Sequence, residues 1–320
     1  MTPTTLDVYA ARRRLGNRLP PTPLRQSAWL SDRANANVFV KLDAVNLTGS
    51  FKIRGAFNAV LALLEQGDAH PLIVAASAGN HGRAIALACE QLGLRAAVFT
   101  PRDAPEAKKS GIRRHGAELF DDHDDYDIAE QRARVFAAAE GGVYISPYNH
   151  RDVIAGAGTV ALEIIEALPN CDVVVIPLGG GGLASGIGLA LKAVAPQLEL
   201  VGVEVEASTP FTNSLKAGHI VVIDPQPSLA DGLTGNLEPG AMTFALVAQS
   251  IARVVVVNEF DLRDAMRAIG ESEHLIVEGA GATAAAAVSS GKLDVSGKTV
   301  AVLVTGGNVD LAKWLRAVER

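Results

Sequence analysis

Short apolar runs rich in β-branched residues alternate along this chain with alanine-rich stretches. Seven runs are predicted to be strands, at residues 38–40, 72–75, 96–99, 173–176, 200–203, 254–257 and 300–304. Three stretches between them are predicted to be helices, at residues 84–92, 159–167 and 262–269. Continuous apolar strands separated by helices are typical of a parallel sheet with helices on both faces. The pattern therefore predicts an α/β fold.

Several of the predicted strands end in glycine-rich turns. Ligands of open parallel sheets bind outside the carboxyl ends of the strands, so these turns are where a site is expected. The alternation is interrupted at Pro147, Tyr148, Asn149 and His150, and a domain boundary is predicted near residues 148–155.

Composition and charge exclude several classes of protein. The chain has 320 residues, 48% of them hydrophobic and 20% charged, which is typical of a globular protein with one large or two modest domains. A net charge of -6 argues against nucleic acid as the main partner. No apolar run reaches the roughly 18 residues that span a bilayer. We therefore expect neither nucleic-acid binding nor a membrane location.

Three further features bear on the location of the protein and on metal binding: the cysteines, the first residues and an acidic run. Cys89 and Cys171 are far apart, Cys89 is predicted to be buried, and a reducing cytoplasm fits best. The first 15 residues predict an amphipathic helix that starts near Thr4 or Thr5, not a secretory signal. The acidic run at residues 121–127 is predicted to be a solvated loop whose aspartates cap a helix beginning near Ile128, although a metal site is the alternative.

Lys52 is the first candidate for chemistry. Ser50 before it is a good N-cap residue, which would place Lys52 in the first turn of a helix. A positive and desolvated helix start disfavours the ammonium form and favours the neutral, nucleophilic amine. The alternative is a surface lysine whose charge reaches solvent.

A turn of small and polar residues follows the strand predicted at 72–75. It consists of Ser77, Ala78, Gly79, Asn80 and His81 and precedes a predicted helix. Backbone N–H groups at a helix N-terminus bind anions, so the turn is a candidate site for a substrate carboxylate. The alternative is an ordinary turn in which Ser77 caps the helix.

Four consecutive glycines form the next motif: Gly179, Gly180, Gly181 and Gly182. Four glycines cost considerable backbone entropy, and a phosphate cradled by N–H groups would account for them. The rival reading is a dinucleotide site, because Gly179, Gly181 and Ala184 satisfy G-x-G-x-x-A and Glu204 ends a later strand. This segment alone leaves both readings open.

The last motif is Thr305, which follows the strand predicted at 300–304 and whose hydroxyl is a candidate partner of a pyridine nitrogen. A lysine that can bind an aldehyde and a glycine turn that can wrap a phosphate are the two groups that pyridoxal 5'-phosphate (PLP) requires. That cofactor withdraws electrons from a bound amino acid and makes its α-proton removable. The pair predicts an enzyme that works on amino acids.

These four segments, in this order, resemble the threonine/serine dehydratases and serine racemases of the tryptophan-synthase-β-like, fold type II group of PLP enzymes. The likeness extends over residues 15–314, and each motif is weak alone whereas their combination is specific. It also includes the segments at residues 22–24, 39–42, 153–156 and 277–279.

The resemblance implies a role for each candidate. Lys52 binds the cofactor aldehyde as a Schiff base, and Phe51 packs against the ring. Asn80 bonds the ring hydroxyl, Thr305 meets the pyridine nitrogen, and Glu278 belongs to the cofactor-binding set. The phosphate is held by Gly179, Gly180, Gly181, Gly182 and Leu183. The substrate carboxylate is held by Ser77, Ala78, Gly79, Asn80 and His81.

The resemblance also implies an architecture and a reaction. Two domains with open, mainly parallel twisted sheets are expected, a large cofactor-binding one at 1–49 and 148–320 and a small substrate-clamping one at 50–147. The expected protein is a cytoplasmic homodimer. Lys52 removes the α-proton of an L-threonine- or L-serine-like amino acid, water leaves, and a 2-oxo acid and ammonia result.

Departures from the family pattern define the alternatives. Racemases of this group carry a serine where this chain has Ala78, so racemisation is not expected as the main activity. Glu204 matches one metal ligand of the group but Pro210 falls where an acidic ligand is expected, so no metal is predicted. A dehydratase for phenylserine or 3-hydroxyaspartate, a nicotinamide-dependent dehydrogenase and a non-catalytic amino-acid-binding protein remain as alternatives.

Overall fold

The computed structural model describes residues 1–67, 71–77 and 79–319. Its strands are β1 (Leu24–Gln26), β2 (Asn37–Leu42), β3 (Ile73–Ala76), β4 (Ala96–Pro101), β5 (Glu118–His123), β6 (Val143–Tyr144), β7 (Val173–Pro177), β8 (Glu199–Val205), β9 (Arg253–Val257) and β10 (Thr299–Val304). Its α-helices are α1 (Thr5–Leu15), α2 (Ala28–Ala34), α3 (Lys52–Glu65), α4 (Asn80–Leu92), α5 (Glu106–Arg114), α6 (Tyr126–Ala139), α7 (Arg151–Ala167), α8 (Gly182–Val194), α9 (Pro210–Ala217), α10 (Met242–Ser250), α11 (Glu259–Ala268), α12 (Gly279–Ser289) and α13 (Leu311–Val318).

The strands form two sheets. The larger has the order β1-β2-β10-β7-β8-β9 and the smaller β5-β4-β3-β6. Every pairing is parallel except that of β1 with β2. The smaller sheet is built only from strands between residues 73 and 144, and the larger only from strands on either side of that range. The exact domain division at residues 50 and 147 stays a prediction.

Both faces of the larger sheet are buried. On β7, Val173 and Val175 belong to a core shared with α11 and α12, whereas Val174 and Ile176 belong to a core shared with α7 and α8. Side chains alternate between the faces of a strand, so burial on both faces requires an uninterrupted apolar run. This is why the seven predicted strands are confirmed, with ends that differ by one or two residues. The three predicted helices are also confirmed, although α7 begins at Arg151, well before the predicted start at residue 159.

The sequence did not predict β1, β5 and β6. The prediction of a solvated loop at 121–127 is wrong at its beginning, because Asp121 and Asp122 lie within β5. This strand is at the edge of the smaller sheet, where the Asp121 carboxylate forms salt bridges with Lys109 and Arg113. The capping prediction is confirmed, since Asp125 accepts a hydrogen bond from Ile128 N at the start of α6.

The first helix and the cysteines follow the predictions. Thr4 and Asp7 form a capping box at the start of α1. Cys89 and Cys171 are both free and buried. Among the residues that the structure describes, none of the helices combines the length and the apolar character that crossing a membrane requires.

Candidate active site

The lysine segment lies beside the end of β10. Ser50 forms an antiparallel bridge with Gly306, and Phe51 N donates a hydrogen bond of 3.0 Å to Thr305 O. The helix α3 then begins at Lys52. This pairing brings Lys52 and Thr305, which are far apart in the sequence, to one edge of the larger sheet.

Lys52 is in the first helical turn as predicted, but Ser50 is not the N-cap residue. Phe51 occupies that position, and the buried Ser50 hydroxyl has no hydrogen-bond partner within the described part of the chain. The reason is that the backbone of Ser50 pairs with Gly306, so the chain enters the helix one residue later than a serine cap requires.

The amine of Lys52 is held by a backbone carbonyl. Its Nζ donates a hydrogen bond of 2.8 Å to Pro147 O and lies 5.2 Å from the centroid of the Phe51 ring. Burial lowers the pKa of Lys52 from 10.5 to about 8, although the nearby Glu278 carboxylate opposes this shift. A fraction of the amine is therefore neutral at physiological pH and can act as a nucleophile or a base.

Two residues after Lys52, a buried charge network anchors α3. Arg54 forms a bidentate salt bridge with Asp43, at 2.7 and 2.9 Å, and a second bidentate salt bridge with Glu163, at 2.5 and 2.9 Å. Lys41 Nζ lies 2.6 Å from the Glu163 carboxylate, and Thr22 Oγ1 donates to Asp43. Two cations and two carboxylates balance, so the network joins α3 to β2 and α7 without a net buried charge.

The turn predicted to bind a carboxylate leads into α4. The helix begins at Asn80, Gly79 is its N-cap residue, and Ser77 Oγ accepts a hydrogen bond of 3.1 Å from Gly79 N. Ala78 lies outside the described residues. The remaining turn residues are thus at the N-terminus of a 13-residue helix, as an anion site requires.

His81 in the first turn of α4 is neutral. Its side chain is buried, and Nε2 lies 3.0 Å from Ile145 O. Burial lowers its pKa to about 3, and Lys52 contributes in the same direction. Because a carbonyl only accepts, we assign the proton to Nε2, and Nδ1 then carries a lone pair without a partner among the described residues.

Asn80 and Glu278 form a polar pair. Asn80 Nδ2 donates a hydrogen bond of 2.6 Å to Glu278 Oε1, and Asn80 Oδ1 accepts one of 2.7 Å from Asn308. Burial raises the pKa of Glu278 to about 7. A Cβ at Gly306 would lie 2.1 Å from Glu278 Oε1, so a side chain there would displace this carboxyl group.

Two lysines that the sequence did not single out, Lys108 and Lys313, line a cavity next to this pair. The cavity has a volume of about 150 Å³ and includes Asn80, Lys108, Asp231 and Lys313 in its wall. Asp231 Oδ2 accepts from Lys108 Nζ at 3.0 Å and from Lys313 Nζ at 3.4 Å. Lys108 is on α5, between strands β4 and β5 of the smaller sheet, and Lys313 is on α13, which follows β10 of the larger sheet. The contacts with Asp231 therefore connect helices that flank different sheets across the cavity.

The glycine run connects β7 to the N-terminus of α8. Gly181 has φ of +82°, and a Cβ there would lie 2.5 Å from the Phe211 ring. A Cβ at Gly180 would lie 2.5 Å from the Tyr148 ring, and one at Gly182 would lie 2.9 Å from Tyr148 O. Within the described residues, no protein acceptor is found for the N–H groups of residues 179–183.

A family model described as "Pyridoxal-phosphate dependent enzyme" matches residues 17–306. The chain belongs to this family. An L-threonine ammonia-lyase of Thermotoga maritima is 40% identical over 308 residues, which are 96% of this chain and 76% of that protein. An L-threo-3-hydroxyaspartate ammonia-lyase of a Pseudomonas species is 38% identical over 96% of both chains.

Solved structures support the same family. The structure of maize serine racemase matches with a TM-score of 0.92 at 30% sequence identity, and the match covers 99% of this chain and 97% of the racemase chain. The predicted α/β fold with mainly parallel sheets, of the tryptophan-synthase-β-like type, is confirmed, as is the predicted likeness to threonine dehydratases and serine racemases. Membership of this family also removes the support for the nicotinamide alternative.

The residues present fit the family's cofactor. The unpaired N–H groups of residues 179–183 surround the start of α8, where a phosphate is stabilised by the helix N-terminus. The hydroxyls of Ser185 and Thr243 are also buried without partners among the described residues, and Thr243 lies against Gly181. Thr305 is buried at the end of β10 and donates a 3.3 Å hydrogen bond to Ala280 O.

The Glu204 carboxylate is hydrogen-bonded to the first residues of α9. Its carboxylate accepts hydrogen bonds from Phe211 N at 2.7 Å, from Thr212 N at 2.9 Å and from the Thr212 hydroxyl at 2.5 Å. A helix N-terminus thus occupies the oxygens that a ribose or a cation would need. Among the described residues, no group of three or more His, Cys, Asp or Glu side chains is arranged so that it could hold a metal ion. The absence of a metal in the working enzyme stays a prediction.

Proposed function

We propose that the protein is a PLP-dependent ammonia-lyase that eliminates water from a β-hydroxy-L-amino acid of the L-threonine or L-serine type. The products are a 2-oxo acid and ammonia. The observation that carries this proposal is the amine of Lys52, whose pKa is lowered to about 8, in the same site as the unpaired N–H groups of residues 179–183. The names of the threonine and hydroxyaspartate ammonia-lyase relatives support the reaction class.

Each end of the cofactor has a candidate partner. Lys52 would bind its aldehyde, and residues 179–183 would bind its phosphate through backbone N–H groups. Phe51 would pack on the ring, while Asn80, Glu278 and Thr305 would face its polar edge. When bound, the cofactor supplies an electron sink that acidifies the α-carbon of the amino acid.

The Lys52 amine would be the base in this proposal while the substrate, and not Lys52, is bound to the aldehyde. A neutral amine with a pKa near the working pH takes a proton and returns it with little cost in either direction. The hydrogen bond to Pro147 O fixes one N–H of the amine, which directs its lone pair away from that carbonyl. Removal of the α-proton is followed by loss of the β-hydroxyl as water, and the resulting enamine hydrolyses to the 2-oxo acid and ammonia.

The remaining residues orient the substrate and bias the outcome. The N-terminus of α4 at Gly79 and Asn80 offers N–H groups for the substrate carboxylate. Thr305 presents a neutral hydroxyl, which does not hold a pyridine nitrogen protonated as a carboxylate would. This favours prompt elimination over transamination.

Several properties stay predictions within this proposal. The closeness of the hydroxyaspartate ammonia-lyase relative keeps 3-hydroxyaspartate beside threonine and serine as a candidate substrate. The homodimer and the closing of a small domain over a large one are predicted from the resemblance, and the cytoplasmic location is predicted from the two cysteines.

A direct experiment tests the covalent step. The purified holoenzyme is treated with borohydride and digested, and the peptides are mapped for a pyridoxyl adduct, which we expect on Lys52. The control is Lys192→Ala, which removes an exposed lysine of α8 and should leave the adduct unchanged. An adduct on another lysine, or none, contradicts the assignment.

A substrate panel tests the reaction. We expect L-threonine or L-serine to release 2-oxo acid and ammonia in equal amounts, and 3-hydroxyaspartate and phenylserine are compared by kcat/KM because added bulk in a tight pocket costs rate. Failure to release ammonia from any of the four would favour a non-catalytic amino-acid-binding protein. Formation of D-serine faster than 2-oxo acid would favour a racemase.

A further inference from the structure

One short segment connects the two parts of the candidate site. Residues 146–149 follow β6 and precede α7. Within this segment, Pro147 O accepts the hydrogen bond from Lys52 Nζ at 2.8 Å. The next residue, Tyr148, packs its ring at the position that a Cβ of Gly180 would occupy and its backbone against Gly182. A shift of residues 146–149 would therefore disturb the lysine and the glycine run together.

Glu238 holds this segment from the other side. Its Oε1 accepts a hydrogen bond of 3.2 Å from Ser146 Oγ, and its Oε2 accepts one of 3.1 Å from Asn149 Nδ2. Its backbone N–H donates a hydrogen bond of 3.0 Å to Tyr148 Oη. One residue thus makes hydrogen bonds to three of the four residues in the segment.

The surrounding contacts complete the arrangement. Asn149 N donates to Ser146 Oγ at 3.1 Å, and Asn149 Oδ1 accepts from Met242 N at 3.0 Å. Arg134 of α6 lies 3.4 Å from the Glu238 carboxylate and forms a salt bridge with it. The only member of residues 146–149 without a hydrogen bond to Glu238 in the described chain is Pro147, whose carbonyl instead accepts from Lys52.

We propose that Glu238 is a positioning residue, which fixes residues 146–149 so that Pro147 O orients the Lys52 amine and Tyr148 keeps the glycine run in its cofactor-binding shape. The proposal rests on the proposed function, because it assumes that these two parts bind PLP. Glu238 itself need not touch the cofactor or the substrate. Replacing its side chain removes two hydrogen bonds to one four-residue loop, those with Ser146 and Asn149, whereas the backbone N–H that contacts Tyr148 Oη remains.

The test compares Glu238→Ala with Glu140→Ala, which removes an exposed acid at the end of α6. For Glu238→Ala we expect the dissociation constant of PLP to rise about tenfold, equal to about 1.4 kcal/mol. We also expect a shifted pH midpoint for the visible absorbance of the holoenzyme, because the Pro147 carbonyl is no longer held at a fixed position beside the Lys52 nitrogen. The Glu140→Ala holoenzyme should match the wild type in both measurements.

Two milder variants keep the test decisive if Glu238→Ala does not fold. Ser146→Ala removes one donor to Glu238, and Tyr148→Phe removes only the contact of the hydroxyl with Glu238 N while the ring stays on the glycines. We expect each to weaken PLP binding about two- to fivefold, and the absorbance midpoint to move in the same direction as in Glu238→Ala. A kcat that falls while KM changes little would place the effect on Lys52.

The outcomes separate this inference from the proposed function. If the wild type binds PLP on Lys52 and Glu238→Ala has the same PLP affinity and absorbance titration, Glu238 is not a positioning residue. A variant that only unfolds at a lower temperature, with both cofactor readouts unchanged, leads to the same conclusion. A wild type that takes up no PLP overturns the proposed function, and this inference fails with it.

Discussion

Replacing Glu278 by glutamine should stabilise the cofactor-free protein at alkaline pH. The carboxyl group is buried next to Asn80, and burial raises its pKa from 4.5 to about 7. The folded state therefore binds this proton more tightly than the unfolded state does. Glutamine has nearly the same shape and keeps an oxygen that can accept from Asn80, but it has no charge to bury.

The pKa change sets the size and the sign of the effect. At about 1.4 kcal/mol per pKa unit, a rise from 4.5 to about 7 corresponds to about 3 kcal/mol. Between these two pH values the folded state holds more protons, so wild-type stability falls as the pH rises through this window. Below pH 4.5 both states are protonated and the cost disappears. Glu278→Gln should thus gain about 3 kcal/mol at pH 8 and under about 1 kcal/mol at pH 5.

The assay is urea unfolding followed by circular dichroism at pH 8 and pH 5. The cofactor is removed first, because a ligand that binds only the folded state adds its own stabilisation. Glu140→Gln, which changes an exposed acid, should stay within about 0.5 kcal/mol of the wild type at both pH values. An equal gain at pH 5 and pH 8 would refute the reasoning, since a packing effect does not titrate.

Four further outcomes follow from the site and the buried network. Lys52→Ala should abolish ammonia release measured with L-threonine or L-serine. In wild-type apoprotein, the rate of PLP uptake followed by absorbance should rise about fivefold from pH 7 to pH 8, because the neutral fraction of an amine with a pKa of about 8 rises to the same extent. Gly181→Ala should weaken PLP binding at least about tenfold in a titration, since it strains a residue at φ of +82° and collides with Phe211. Arg54→Met should cost about 3–5 kcal/mol in urea unfolding because it leaves the buried Asp43 carboxylate without its salt bridge and Glu163 with Lys41 as its remaining cation, whereas Arg12→Met, at an exposed salt bridge, should cost about 1 kcal/mol or less.

Much of the fold was predictable because a strand that is buried on both faces has an uninterrupted run of apolar residues. The run from Val173 to Ile176 has no polar position, and the structure divides it between two cores. The edge strand β5 has no such run, because acidic residues such as Asp121 form salt bridges there and do not face a core. Its strand conformation depends on pairing with β4, which no local pattern encodes.

The candidate site likewise has features that local sequence predicts and features that it does not. Lys52 and the glycine run are local motifs, and their residue types alone restrict what chemistry is possible. The misplaced helix cap at Ser50 and the partners of Lys108 depend on contacts with Gly306 and Asp231, which lie far along the chain. Such contacts are fixed by the packing of whole elements, so a reading of short segments could not supply them.

The glycine run shows how packing and ligand binding can require the same residues. The phosphate argument alone would demand glycine only where a ligand approaches the backbone. In the structure, the missing side chains are also required by Tyr148 at Gly180, by Phe211 at Gly181 and by Tyr148 again at Gly182. Because protein atoms fill the space of these side chains, the loop is held in one shape before any ligand arrives. Its N–H groups meet no protein acceptor in the described chain, so that shape already suits an anion.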